Sequence, residues 1–118
     1  ERIDMEWSVE ERHEDGRQIQ LYIKADGELQ GLISVEIEND APSIKYLTMC
    51  KMETAPQALK VATEFLIEQH NHPNGIYAYT YDYKDYEHEW FKDVGFSVFR
   101  YLDDGARTLY HLPTPTFH

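Results

Sequence analysis

The sequence predicts an α+β domain: an antiparallel four-stranded meander, then helix, strand, helix and strand, with the helices packed on one mixed central sheet. Three observations carry this. Apolar residues alternate with period two up to Met49, the period becomes helical after Thr54, and Asp-Gly and Asn-Asp pairs punctuate the first half. Met5 to Glu11 alternates well enough for a first strand. In residues 17–25, Ile19, Leu21 and Ile23 alternate with Gln18, Gln20 and Tyr22, so one face of a second strand is buried. Asp15-Gly16 and Asp26-Gly27 flank it, and both pairs tolerate the positive φ of a two-residue hairpin. Leu29 to Ile37 forms the third strand, with Ile33, Val35 and Ile37 on one face and Gly31 marking a bulge. Asn39 to Pro42 is the next break, and Ser43 to Met49 the fourth strand.

Thr54 is placed as an N-cap, with Pro56 in a first turn where its missing N–H is not needed. Leu59, Ala62, Thr63, Leu66 and Ile67 then recur at helical spacing as far as about Gln69. Ile76 to Tyr81 is a strand, Asp85 to Val94 a second helix stopped by Gly95, and 96–102 with 106–112 a hairpin around Asp103-Asp104-Gly105.

The chain has 118 residues and a mass of 14.0 kDa, so a single domain is expected over 1–112, with 113–118 as a short C-terminal tail. Eleven basic against 22 acidic residues give a net charge of −11, which argues against direct binding to nucleic acid or anionic lipid. No apolar run reaches the length of a membrane span, and the single cysteine, Cys50, excludes an internal disulfide. A cytoplasmic location is the expectation.

Residues 43–102 resemble the core of the GNAT-type N-acetyltransferase superfamily. The resemblance rests on Trp90-Phe91-Lys92-Asp93-Val94-Gly95-Phe96, which is similar to the family's aromatic-x-lysine-x-x-Gly-Phe ending of the last helix before a strand. The spacing from the Thr54 helix through the Tyr77 strand to Gly95 also matches. The length implies a reduced version without the two helices that usually follow the first strand. The resemblance further implies acetyl-CoA as cofactor, bound where the fourth strand turns into the long helix. In the family that turn carries Gln/Arg-x-x-Gly-x-Gly/Ala, whose N–H groups cradle the pyrophosphate. Here it reads Lys51-Met52-Glu53-Thr54-Ala55-Pro56-Gln57-Ala58, with Thr54 and Pro56 where the glycines would be. On this resemblance the cofactor-binding candidates are Met49, Cys50, Lys51, Thr54, Ala55, Gln57 and Ala58. The N–H groups near Met49 and Cys50 would polarise the thioester carbonyl. Glu36 and Glu38 are the candidate bases for deprotonating an amine, with an ordinary solvated strand position as the simpler assignment of each. Phe91 stands near where the family often has an acid tyrosine, which leaves Tyr86 as the candidate acid.

The Tyr77, Tyr79, Tyr81 and Tyr83 series reads either as an aromatic wall for a ligand or as a core strand under the two helices, the simpler assignment. Tyr81, Asp82, Tyr83, Asp85 and Glu89 mix aromatics with acids, as a surface for a basic protein would and as an amphipathic helix with a solvated acidic face equally would. His70-x-His72 and His88-Glu89 lack metal-site spacing, and no metal is expected. Cys50 is expected to be a buried small apolar residue.

Two functions follow. One is transfer of an acetyl group from acetyl-CoA to a small amine or a protein amine. The other is a catalytically inactive acidic binding protein, an inhibitor or nucleic-acid mimic, that uses the same fold to occupy a basic site on a partner. A homodimer through a sheet edge is a further expectation.

Overall fold

The computed structural model describes residues 5–115, so the ends of the predicted domain and tail, 1–4 and 116–118, lie outside the described residues. The chain runs β1 (Trp7–Asp15), β2 (Gln18–Ala25), β3 (Glu28–Glu38), β4 (Ala41–Met49), α1 (Ala55–Gln69), β5 (Ile76–Tyr81), α2 (Asp85–Val94), β6 (Ser97–Leu102) and β7 (Arg107–Leu112). One seven-stranded sheet has the order β1-β2-β3-β4-β5-β7-β6. Every neighbouring pair is antiparallel except β4 and β5, the two strands joined through α1.

Two of the turns differ from expectation. Asp26 and Gly27 adopt the positive φ expected of them, at 52° and 81°. Asp15 and Gly16 do not, because a bulge between His13 and Asp15 moves the turn on to Gly16 and Arg17, where the Arg17 N–H donates to Asp15 Oδ1. The third break shrinks to Asn39 and Asp40, with φ of 52° and 61°; Ala41 and Pro42 already belong to β4, pairing with Glu38 and Ile37. The bulge foreseen at Gly31 leaves its neighbour Gln30 as the extra residue.

Both helices lie on one face of the sheet. Ala55, Ala58, Leu59, Ala62 and Leu66 of α1 are buried against Ile19, Leu21, Ile23, Ile33, Val35 and Ile44. The alanines let the helix axis approach the strands, and each buried leucine contributes about 2 kcal/mol by removing apolar surface from water. The Gly95-Phe96 motif is packing: Gly95 takes φ 121° while the Phe96 N–H returns to the Phe91 carbonyl at 2.9 Å. The Phe91 ring is then edge-on to Phe96 (5.3 Å) and stacked on Tyr110 (5.5 Å).

Among the described residues the other face carries no helix, since β1 reaches β2 through a two-residue turn. The tyrosines of β5 lie there, which corrects their assignment to the core under the helices. Ala78 and Thr80 face the helices instead, and Thr80 Oγ1 donates to the buried Glu87 of α2 at 2.6 Å. Alternation dictates that the tyrosines share a face. Only the small Ala78 and Thr80, which leave room for α2, decided which face.

Candidate functional site

β4 and β5 pair only through Ser43 with Tyr77 and Ile44 with Ala78. The cause lies on the far edge of β4, where Ile44 pairs with Val35 and Tyr46 with Ser34, leaving Lys45 as an extra residue. Such a bulge sharpens the local twist and swings the rest of the strand aside. Beyond Ile44 the strands diverge into a V. The cleft between Lys45–Leu47 and Tyr79–Tyr81 has a volume of about 110 Å³ and is bounded also by Lys84, Glu87 and Arg107.

The open ladder leaves backbone donors facing the V. The Cys50 N–H donates to the Gln30 carbonyl at 2.9 Å. By the alternation of an antiparallel ladder, Thr48 and Tyr46 also turn their N–H groups to β3, and Met49 and Leu47 turn theirs to the gap. Leu47 was missed in the sequence because its availability depends on where β5 stops pairing. Cys50 is exposed rather than buried: β4 ends at Met49, and the side chain beyond it turns outward.

At the vertex, Glu38, Lys45 and Tyr79 converge. Lys45 Nζ lies 2.9 Å from Glu38 Oε2, and the Tyr79 hydroxyl donates to Glu38 Oε1 at 3.2 Å. Burial alone would raise the Glu38 carboxyl, but the Lys45 ammonium and the Tyr79 hydroxyl outweigh it and hold the group below the usual carboxylate range. Burial pushes the Tyr79 hydroxyl up, reinforced by the Glu38 charge and opposed by Lys45 and Arg107. The pair is therefore an ionised carboxylate beside a protonated phenol. Tyr79 also borders a bowl of about 350 Å³ on the open face, walled by Glu38, Tyr77, Phe99 and Leu109. The Tyr77 and Phe99 rings meet edge to face there at 5.5 Å.

The remaining candidates are dispersed. Glu36 sits on the open face with Oε2 3.6 Å from Arg17, two positions along β3 from Glu38. Tyr86 is exposed on α2 with its ring 5.1 Å from Trp90, and it does not border the V. Thr54 occupies the N-cap position but forms no side-chain cap, because its hydroxyl donates to the buried Gln30 Oε1 at 2.8 Å. The Ala55 N–H is directed to the Met52 carbonyl, the Ala58 N–H to that of Thr54, and Pro56 has none. Among the described residues, the N–H groups of Lys51, Met52, Glu53, Thr54 and Gln57 make no protein hydrogen bond. These five, with the Lys51 ammonium, are what the turn offers an anion.

Where β5 runs into α2, Tyr81 at the end of the strand stacks on Tyr83 of the loop at 5.7 Å, in a stretch that also exposes Asp82, Asp85 and Glu89. Two of these histidines have structural partners: His70 bonds Glu11, and His88 spans the Tyr110 hydroxyl and the Tyr81 carbonyl. No helix among the described residues is long and apolar enough to cross a membrane.

Solved structures similar to this one include acetyltransferases. The N-acetyltransferase PseH of Campylobacter jejuni superposes with a TM-score of 0.74 over 87% of this chain and 72% of its own, at 13% identity. The chain has the GNAT fold. An acetyltransferase from Thermus thermophilus gives a TM-score of 0.71 at 16% identity, covering 85% of this chain and 66% of its own. PseH has also been crystallised with acetyl coenzyme A, in a form that matches at a TM-score of 0.72 and 14% identity over 87% and 72% of the two chains. No protein-family model and no curated protein matches the sequence. At such identities the likeness is one of GNAT architecture alone.

Proposed function

We propose that this protein transfers an acyl group, acetyl in the simplest case, from a coenzyme A thioester to an amine. The observation that carries the reading is the V beyond Ser43 and Tyr77, which exposes backbone donors beside an ionised carboxylate and a protonated phenol. Coenzyme A would supply an activated acyl group as its thioester. The Leu47 and Met49 N–H groups would hold the acyl carbonyl and polarise it. Unengaged donors from Lys51 to Thr54, with Gln57, would hold the phosphates; Cys50, Ala55 and Ala58 have theirs committed and contribute position only.

Glu38, rather than Glu36 beside Arg17, would take the proton from an amine entering by the Tyr77–Phe99 bowl. The Tyr79 hydroxyl would give a proton to the departing sulfur and regain it through Glu38, to which it is already bonded. Tyr86 would serve only if α2 turned it toward the V. The test is titration with acetyl-CoA. The melting temperature should rise, and amine-dependent release of thiol should follow. Saturating acetyl-CoA with neither a thermal shift nor calorimetric heat would end this reading.

The second reading, an acidic binding protein, is favoured by the stacked and exposed Tyr81–Tyr83 pair among Asp82, Asp85 and Glu89. A basic protein held there should be lost from pull-downs as salt rises. Binding that ignores salt would count against it.

A further inference from the structure

The V carries cationic donors that an acetyl group does not use. In a chain of net charge −11, its boundary includes Lys45, Lys84 and Arg107 against one carboxylate, Glu87. Two of these cations converge on one ring: Lys45 Nζ lies 4.1 Å, and Arg107 Cζ 5.5 Å, from the centroid of Tyr79. Each has a carboxylate partner that consumes only part of its donor set. Lys45 gives one contact to Glu38, and Arg107 meets Asp103 through Nε, so its terminal nitrogens remain available. Asp103 is largely exposed, and such a surface pair is easily exchanged for another anion. Lys84, 3.7 Å from Glu87 Oε2, offsets the one acid in the cleft, while Thr80 holds that acid's other oxygen.

A methyl-terminated acyl group would leave these donors facing apolar carbon. Neither Lys45 nor Arg107 borders the Tyr77–Phe99 bowl, whose own cation is Arg100, so the spare donors of Lys45 and Arg107 belong to the thioester side of the site. We propose that the preferred donor is a thioester whose acyl chain ends in a carboxylate, as malonyl and succinyl groups do, with that carboxylate held by Arg107 and Lys45 beside Tyr79. This rests on the acyltransferase reading above and specifies its substrate. The transfer stays balanced. The amine nitrogen bonds to the thioester carbon, the carbon–sulfur bond breaks, Glu38 receives the amine proton, and sulfur leaves with the Tyr79 proton. The distal carboxylate passes unchanged into the amide product.

Calorimetric titration of the full chain with coenzyme A, acetyl-CoA and succinyl-CoA tests this without requiring turnover. Succinyl-CoA should bind about tenfold more tightly than acetyl-CoA, and Arg107→Gln should shrink the gap to about twofold. If the wild-type protein binds both thioesters equally, or prefers acetyl-CoA, the carboxylate proposal falls and acyl transfer stands. If succinyl-CoA is preferred but Arg107→Gln leaves the preference intact, the assignment to Arg107 falls. If none of the three ligands binds, the acyltransferase reading fails and takes the proposal with it.

Discussion

Tyr79 combines three contacts that no other tyrosine of β5 has: the Glu38 carboxylate at its hydroxyl, and Lys45 and Arg107 over its ring. Tyr79→Phe should therefore lower kcat roughly 10- to 100-fold with little change in thioester affinity, a split that single-turnover kinetics resolve. Glu38→Gln should cost about 100-fold in kcat/KM, and Glu36→Gln much less. Because Lys45 and Tyr79 hold the Glu38 carboxyl low, kcat/KM should decline on the acid side only below the ordinary carboxylate range. Gly75 is a different kind of residue. Its φ is 81°, and a Cβ there would collide with the Leu112 carbonyl oxygen, so Gly75→Ala should cost about 2–4 kcal/mol in chemical denaturation. Glu36 and Glu38 look alike in the sequence. Their difference arises from what faces them across β2 and β5, where Glu36 pairs with Gln18 and Glu38 meets Tyr79, a residue 41 positions away.

At the level of elements, the start of α1 sets which backbone donors the turn after β4 can offer an anion. The Pro56 ring removes one helix donor, and backbone carbonyls take those of Ala55 and Ala58. Pro56→Ala should restore an N–H and tighten coenzyme A binding several-fold, about 1 kcal/mol, with the acyl preference unchanged; calorimetry with coenzyme A reads this directly. That Pro56 withholds a donor was legible in the sequence. That Thr54 spends its hydroxyl on Gln30 was not, because Gln30 became the extra residue of a bulge only when β2 and β3 chose their register. The V has the same origin. A one-residue excess at Lys45 opens it, and no local pattern distinguishes that excess from ordinary strand.

Across the whole molecule, stability should be highest between about pH 5 and pH 10. Glu38 and Glu11 have folded values below the ordinary carboxylate value, Glu11 because contacts with His70 and His13 outweigh its burial. Their contribution is complete above the unfolded value of about 4.3 and is lost as pH falls through the lower folded values. Burial raises the Tyr79 and Tyr110 hydroxyls, so above about pH 10 the unfolded chain loses protons first and stability falls again. Scanning calorimetry across this range should show the melting temperature falling at both ends; a flat acid limb would contradict the Glu38 and Glu11 assignments.

The sequence alone determined the order and periods of the elements, the GNAT-like rhythm from Thr54 to Phe96 and the large acidic excess, because alternation, helical spacing and turn residues are local properties of the chain. The tertiary structure decided which face of β5 meets the helices, where β4 parts from β5, and which of two similar glutamates meets a tyrosine and a lysine. Those outcomes depend on register and on pairs of residues far apart in the chain, and both are fixed only when the sheet closes around its core.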